Sequence, residues 1–156
     1  MLRYLLAVLL ATALPASADS IDCRVIGIAG GDIFACLTAK QERVRVRMAE
    51  IDAPEARQAY GLEAQHALSG YIFGKDVTLV VQGHDRHGRT LARVRAGDTD
   101  VNAEMVRSGA AWADPDYMTD RNLRALEAVA REFKRGLWAL PKPDRQPPWQ
   151  WREARR

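Results

Sequence analysis

Between Cys23 and Ile51 the chain alternates. Val44, Val46 and Met48 are interleaved with Arg43, Arg45 and Arg47, the two-residue period of a strand with one buried face. Upstream, Val25-Ile26 and Ile33-Phe34 flank Gly30-Gly31, so the segment reads as three consecutive antiparallel strands. The stretch Asp52-Ala53-Pro54-Glu55 ends the pattern, because proline lacks a ladder donor and holds the preceding residue extended. A carboxylate-rich loop is expected there.

The period then lengthens. Ala64, Leu68, Tyr71 and Ile72 recur at helical spacing and Gly74 closes the run, which predicts a short amphipathic helix. Val77 to Val81 and Leu91 to Val94 read as a second hairpin around the polar Gly83–Gly88 loop, with Arg89 leading out of it. Asn102 is placed to cap a helix carrying Met105 and Val106 and stopped by Gly109. Thr119 is placed to cap a longer one, with Leu123, Leu126, Ala130 and Phe133 on one face and Gly136 at its end. Beyond Trp138, Pro141, Pro143, Pro147 and Pro148 argue against any regular element. Trp149 and Trp151 are read as sealing the body of the domain, the alternative being base stacking. Early strands with helices among and after them imply an α+β fold, mainly β: a small antiparallel barrel or sheet packed by about three helices.

The N-terminus has a different character. Arg3, the apolar run Leu5–Leu14 and the triplet Ala16-Ser17-Ala18 form a signal-peptide pattern over residues 1–18. The run is too short for a comfortable membrane span, and no later segment approaches one. The expectation is an exported, periplasmic or extracellular protein whose mature form has no membrane attachment. Residues 19–140 would form one domain and residues 141–156 a Pro/Trp/Arg-rich tail; 156 residues with 47% hydrophobic content suit a single core. No surface pattern indicates oligomerisation, so a monomer is expected.

Charge narrows the field only slightly. Cleavage after Ala18 removes Arg3 from the 23 basic residues and none of the 20 acidic ones, leaving a formal +2. A pI near 9.1 is compatible with a polyanionic partner but is shared by many exported proteins. The two cysteines, Cys23 and Cys36, would face or nearly face each other across a hairpin turning at Ala29–Gly31, and export favours a disulfide. The rival reading is a zinc site formed with His84 and His87.

Hydrolysing a phosphodiester needs an activated water, neutralisation of charge on the phosphate, and fixed positions for both. Asp32 and Asp52 offer oxygen ligands for a hard divalent cation, Glu55 is free to act on water, and Arg47 and Arg89 offer planar forks for phosphate. Each has a plainer reading. Arg43, Arg45 and Arg47 equally form one solvated cationic face, and His66, His84 and His87 read as solvated side chains, His87 alternatively as a phosphate contact when protonated. Arg47 and Asp52 are an odd number of residues apart, so an unbent strand would point them to opposite faces.

The ordered motifs carry more information than spacing. Val46-Arg47-Met48-Ala49-Glu50-Ile51-Asp52-Ala53-Pro54-Glu55 resembles the signature of the thermonuclease family, typified by staphylococcal nuclease. Gly31-Asp32 resembles its Asp-Gly-Asp-Thr turn, Asp85-Arg86-His87-Gly88-Arg89-Thr90-Leu91-Ala92 its second arginine loop, and Val101-Asn102-Ala103-Glu104-Met105-Val106-Arg107-Ser108-Gly109 its second helix. Tyr60-Gly61-Leu62-Glu63-Ala64, Gly136-Leu137-Trp138 and Pro147-Pro148-Trp149-Gln150-Trp151-Arg152 extend the likeness to members with a proline-tryptophan tail.

The resemblance implies a five-stranded OB-type barrel with three helices and a calcium site that cleaves DNA and RNA. On that likeness Asp32 and Asp52 are metal ligands together with the backbone carbonyl of Ala53. Glu55 is the general base, and Arg47 and Arg89 are the phosphate clamp. His87 stands where a tyrosine is common, and Asp114-Pro115-Asp116 replaces part of a stretch that carries a stacking aromatic, a contact Tyr117 would keep. Gly30-Gly31-Asp32-Ile33 lacks the carboxylate and hydroxyl of the usual turn. The expected function is an exported calcium-dependent endonuclease of low sequence specificity. The alternative is an OB-fold protein that binds single-stranded nucleic acid with weakened catalysis.

Overall fold

The computed structural model describes residues 19–155, so the expected signal peptide at 1–18 lies outside the described residues. Three strands, β1 (Ser20–Ile28), β2 (Ile33–Thr38) and β3 (Arg43–Met48), form an antiparallel meander. The expected alternation in β3 holds: Val46 and Met48 point into the core while Arg43 and Arg45 face solvent. After the two-residue strand β4 (Ile51–Asp52) comes the helix α1 (Gly61–Ile72), then β5 (Asp76–His84) and β6 (Thr90–Ala96), a hairpin that pairs with the free edge of β1. Parallel pairing of β6 with β3, from Val46↔Thr90 to Met48↔Ala92, closes a five-stranded barrel. The barrel is therefore antiparallel except at this one seam. Ladder irregularities at Val25/Gly27 and Val81/Gly83 add the local twist that a small closed barrel requires.

Cys23 and Cys36 form a disulfide with Cα atoms 5.6 Å apart. They are diagonal neighbours rather than directly opposed, because Cys23 faces Thr38 and Val25 faces Cys36. Both thiols are consumed, which removes the zinc alternative.

The remaining elements are β7 (Thr99–Asp100), α2 (Val101–Arg107), β8 (Trp112–Ala113), α3 (Arg121–Glu132) and α4 (Pro148–Glu153). β8 pairs with β4 beside the barrel. α1 buries Ala64, Leu68 and Ile72, one face at four-residue steps, and its partners in a single core include Phe34, Met48, Leu79, Met105 and Leu123.

Two caps differ from expectation. Asp100, not Asn102, caps α2 by accepting from the Ala103 N–H at 3.1 Å, while Asn102 is fully buried within the helix. There its Oδ1 accepts from the Val94 N–H and its Nδ2 donates to the Ala49 carbonyl, tying helix to barrel. Asp120, not Thr119, caps α3, because the Thr119 amide and hydroxyl are both engaged by Glu50. Phe133, expected on the buried face, ends the helix exposed under the Arg135 guanidinium.

The tail also departs from the sequence reading. It contains a helix, α4, because Pro148 occupies the first helical turn, where a missing N–H costs nothing. The tail docks: the Trp149 ring meets Trp112 edge-on at 5.6 Å, and Trp112 meets Trp138 at 4.4 Å. Among the described residues no helix is long and apolar enough to cross a membrane.

Candidate active site

Asp32 ends the β1–β2 turn and is drawn against the loop after β4. Glycine at position 31 makes this approach possible, since a Cβ there would lie 2.6 Å from the Ala53 Cβ and 2.8 Å from that of Ala64. The Asp32 carbonyl accepts from the Met48 N–H at 2.8 Å, and its carboxylate accepts from the Ala53 N–H at 3.4 Å.

The approach from the other side depends on a corner. Glu50 adopts a left-handed conformation (φ 66°), uncommon for a side chain larger than glycine, and turns the chain between β3 and β4. The corner cancels the parity that would have separated Arg47 from Asp52. Arg47 Nη2 lies 3.5 Å from Asp52 Oδ1, and its Nε lies 3.8 Å from Asp32 Oδ2. Glu50 is itself pinned: Oε1 accepts from the Thr119 N–H, the Thr119 hydroxyl and the Asp120 N–H, and Oε2 accepts from Gln82 and Arg93.

Burial raises the proton affinity of both aspartates, and Asp32 is the less well compensated. Burial pushes the Asp32 carboxyl up to about 7, aided by the negative charge of Asp52, while Arg47 and the Ala53 N–H pull the other way. Asp52 is likewise raised, by burial first and by Asp114 in addition, against the opposing effect of Arg152 and Arg47. Asp114 is buried beyond β8, with its N–H donating to the Glu50 carbonyl.

Glu55 lies three residues past Asp52, half exposed. Its backbone packs against the start of α1, where a Cβ on Gly61 would fall 2.0 Å from the Glu55 carbonyl oxygen. Gln58 accepts from the Glu55 N–H and donates to the Gln146 carbonyl of the tail.

One residue of the site escaped the sequence reading. Arg152, on α4, donates to both oxygens of Asp52, at 2.6 and 3.1 Å, and to Glu55 Oε1 at 2.9 Å. Its guanidinium is held firmly charged, first by the Asp52 hydrogen bonds and despite its partial burial.

Arg89 stands apart from this group. Its Nε pairs with Asp85 at 2.6 Å, and its N–H and that of His87 both donate to Asp85 Oδ1. Burial opposes ionisation of Asp85, but these bonds outweigh it and hold the carboxyl at about 2. The loop borders β3, since Arg45 donates to the His87 carbonyl at 3.2 Å. Among the described residues no hydrogen bond or ion pair links Arg89, His87 or Tyr117 to Asp32, Asp52 or Glu55. Tyr117 is 76% exposed.

The donor set suits a hard cation. Among the described residues no three His, Cys, Asp or Glu side chains converge as a closed metal cluster. An ion would therefore rest on Asp32, Asp52 and the Ala53 carbonyl, with water or phosphate oxygens completing an irregular all-oxygen shell. Asp52, already bridged by a guanidinium, raises the proton affinity of the buried Asp32 beside it, and the pair offers anionic oxygens of the kind a hard cation takes.

Comparison with known proteins finds nuclease relatives. The sequence model of the family described as staphylococcal nuclease homologue matches residues 45–140. A protein of Escherichia coli named an uncharacterized endonuclease is 38% identical over 156 residues, covering 99% of this chain and 100% of the relative. One of Shigella flexneri named micrococcal nuclease is 40% identical over 159 residues, covering 95% and 89%. An uncharacterized endonuclease of Haemophilus influenzae is 42% identical over 130 residues, covering 83% and 72%.

Proposed function

The chain belongs to the staphylococcal nuclease homologue family, and from that membership we propose that it is an exported endonuclease. It hydrolyses phosphodiester bonds of DNA or RNA with calcium bound at Asp32, Asp52 and the Ala53 carbonyl. The observation that carries the reading is the convergence of Asp32, Arg47 and Asp52 at one edge of the barrel, with Glu55 three residues on.

Each residue has a distinct task in this reading. Bound calcium supplies positive charge against the scissile phosphate. Arg47, held between two carboxylates at 3.5 and 3.8 Å, is pre-aimed, and those long contacts leave its N–H groups able to turn to phosphate oxygens. Arg89, at the entry to the strand beside β3, closes on the same phosphate by exchanging Asp85 for it. Glu55 accepts the proton of the attacking water, for which its partial exposure gives access. His87 and Tyr117 contact the substrate further along. Among the described residues no element resembles a reader of base edges in a groove, which supports cleavage of low specificity. The leader-like residues 1–18 and the Cys23–Cys36 disulfide support export to the periplasm or beyond, where such a bond persists; the mature chain acts as a monomer without membrane attachment.

Digestion of single-stranded DNA by the purified mature protein tests the reading. We expect cutting with calcium, none with chelator, and a loss of about 10²–10⁴-fold in Glu55→Ala. Absence of calcium-dependent cutting would sink it. The second reading, a binder with weakened catalysis, draws on the altered Gly30 and Ile33 turn; salt-sensitive gel-shift binding without cutting would favour it.

A further inference from the structure

We propose that α4 is a latch in which Arg152 takes the place of the metal cation, so that calcium binding and release of the tail are one coupled event. The inference rests on the calcium reading above and adds to it a competitor carried by the chain itself.

The geometry is that of competition for the same lone pairs. Arg152 spans both oxygens of Asp52 and reaches Glu55 Oε1 as well. While it is docked, the preferred ligand oxygens are hydrogen-bonded to a guanidinium, and the carboxylate that would accept a proton from water is occupied by a hydrogen bond from arginine. The latch therefore blocks two functions with one side chain.

Charge favours exchange. Asp32, Asp52 and Glu55 form ion pairs with Arg47 and Arg152, and the charge of the buried Asp114 acts on Asp52. Four carboxylates against two guanidiniums leave a formal −2, and replacing Arg152 by a doubly charged ion leaves −1. Calcium thus neutralises the group better than the latch does, yet it must first displace it.

The latch is also built to open. α4 has only six residues, far below the length at which a helix is stable alone, so its order depends on docking. Among the contacts that hold it are Arg152 on the carboxylates, the buried Pro148, Trp149 against Trp112 and, just upstream, Gln58 on the Gln146 carbonyl. The arginine is 37% exposed and its partner Glu55 41%, so water and ions reach the bond that must break. Upstream, a short 3-10 turn, Lys142–Asp144, preceded by Pro141 and containing Pro143, serves as the strap.

Calorimetric titration of calcium into the mature protein and into Arg152→Gln tests the competition. We expect binding about tenfold or more tighter in the variant, since the fraction of competent sites no longer limits apparent affinity. Hydrogen exchange on the unmutated chain supplies a readout independent of the substitution: saturating calcium should speed exchange of the 150–155 amides by a matching factor, because linkage is reciprocal. Equal calcium affinities with unchanged tail protection would overturn the latch and leave the calcium site standing. No calcium binding by either chain would overturn the calcium reading itself, and the latch with it.

Discussion

Two buried carboxylates that meet at the β3–β4 corner, Glu50 and Asp32, have opposite chemistry. Glu50 and Asp32 are almost equally inaccessible, at 5% and 7% exposure. Burial raises both, yet around Glu50 the hydrogen bonds from Thr119, Asp120 and Gln82 outweigh it and bring the carboxyl down to about 2. Asp32 receives a single N–H at 3.4 Å and a guanidinium at 3.8 Å, and burial wins, with Asp52 adding to it. Donor supply, not depth, separates a carboxylate held ionised within the fold from one whose proton affinity is raised. The fully supplied centre fixes the corner that brings the undersupplied one together.

The sharpest way to break this comparison is to remove the supplied member. Glu50→Ala strips Arg93, Gln82 and the start of α3 of a common partner, although Arg93 keeps Asp100 and Asp120. Deleting one member of a buried charged network costs about 3–5 kcal/mol, and urea denaturation at neutral pH should read a loss of that size. Activity should fall with it, since Arg47 and Asp52 would lose their corner. A loss below about 1 kcal/mol would show that Glu50 is a bystander.

The opposite sign is expected at the undersupplied centre. In chelator, Asp32→Asn should stabilise the protein by about 1–3 kcal/mol near pH 8, because an uncompensated buried charge is replaced by a neutral group of the same shape. The pH dependence identifies the cause. A carboxyl raised from 3.8 to about 7 favours the fold fully below pH 3.8 and loses that contribution as pH rises through 7. Unmutated protein should therefore weaken from about pH 4 to pH 8 on this account, and Asp32→Asn should flatten that decline. Glu50 acts in the other direction, contributing above pH 4.5 and ceasing to contribute as pH falls towards 2, so the acid limb should survive in the variant. Calcium binding should be lost in Asp32→Asn despite the gain in stability.

How much of this was legible depends on range. The alternation of Val44, Val46 and Met48 is local, and β3 formed as read. The parallel β3–β6 seam left no local trace, because its two strands are more than 40 residues apart and their pairing depends on how the whole barrel closes. The caps were misplaced where a tertiary partner captured the obvious candidate: Asn102 by Val94 and Ala49, Thr119 by Glu50. Convergence of Arg47 with Asp52 was hidden by the left-handed Glu50, since no residue type announces such a corner as glycine does. The family motifs named Asp32, Arg47, Asp52 and Glu55 before any geometry was in hand. Arg152 had only its place in Trp-Gln-Trp-Arg to mark it, and its partner Asp52 is 100 residues away. Prolines also hid the helix that carries it.

The smallest expected effect tests whether the supply to Glu50 is additive. Gln82 donates to Glu50 Oε2 at 3.2 Å from an exposed position on β5, and Arg93 donates to the same oxygen at 3.0 Å. In Gln82→Ala water can take over the lost bond, so the cost near pH 7 should be about 0.5–1 kcal/mol. Because the bond is made to the ionised carboxylate, the cost should shrink as pH falls from 4.5 towards 2 and Glu50 takes up its proton. Paired urea melts at pH 7 and pH 3 measure the difference. A cost that stays constant across that range would mean that Gln82 acts through packing on β5 and that Glu50 draws its low pKa from Thr119 and Asp120 alone. Calcium affinity at pH 7 should be unchanged, since Gln82 touches the corner and not the site that the corner assembles.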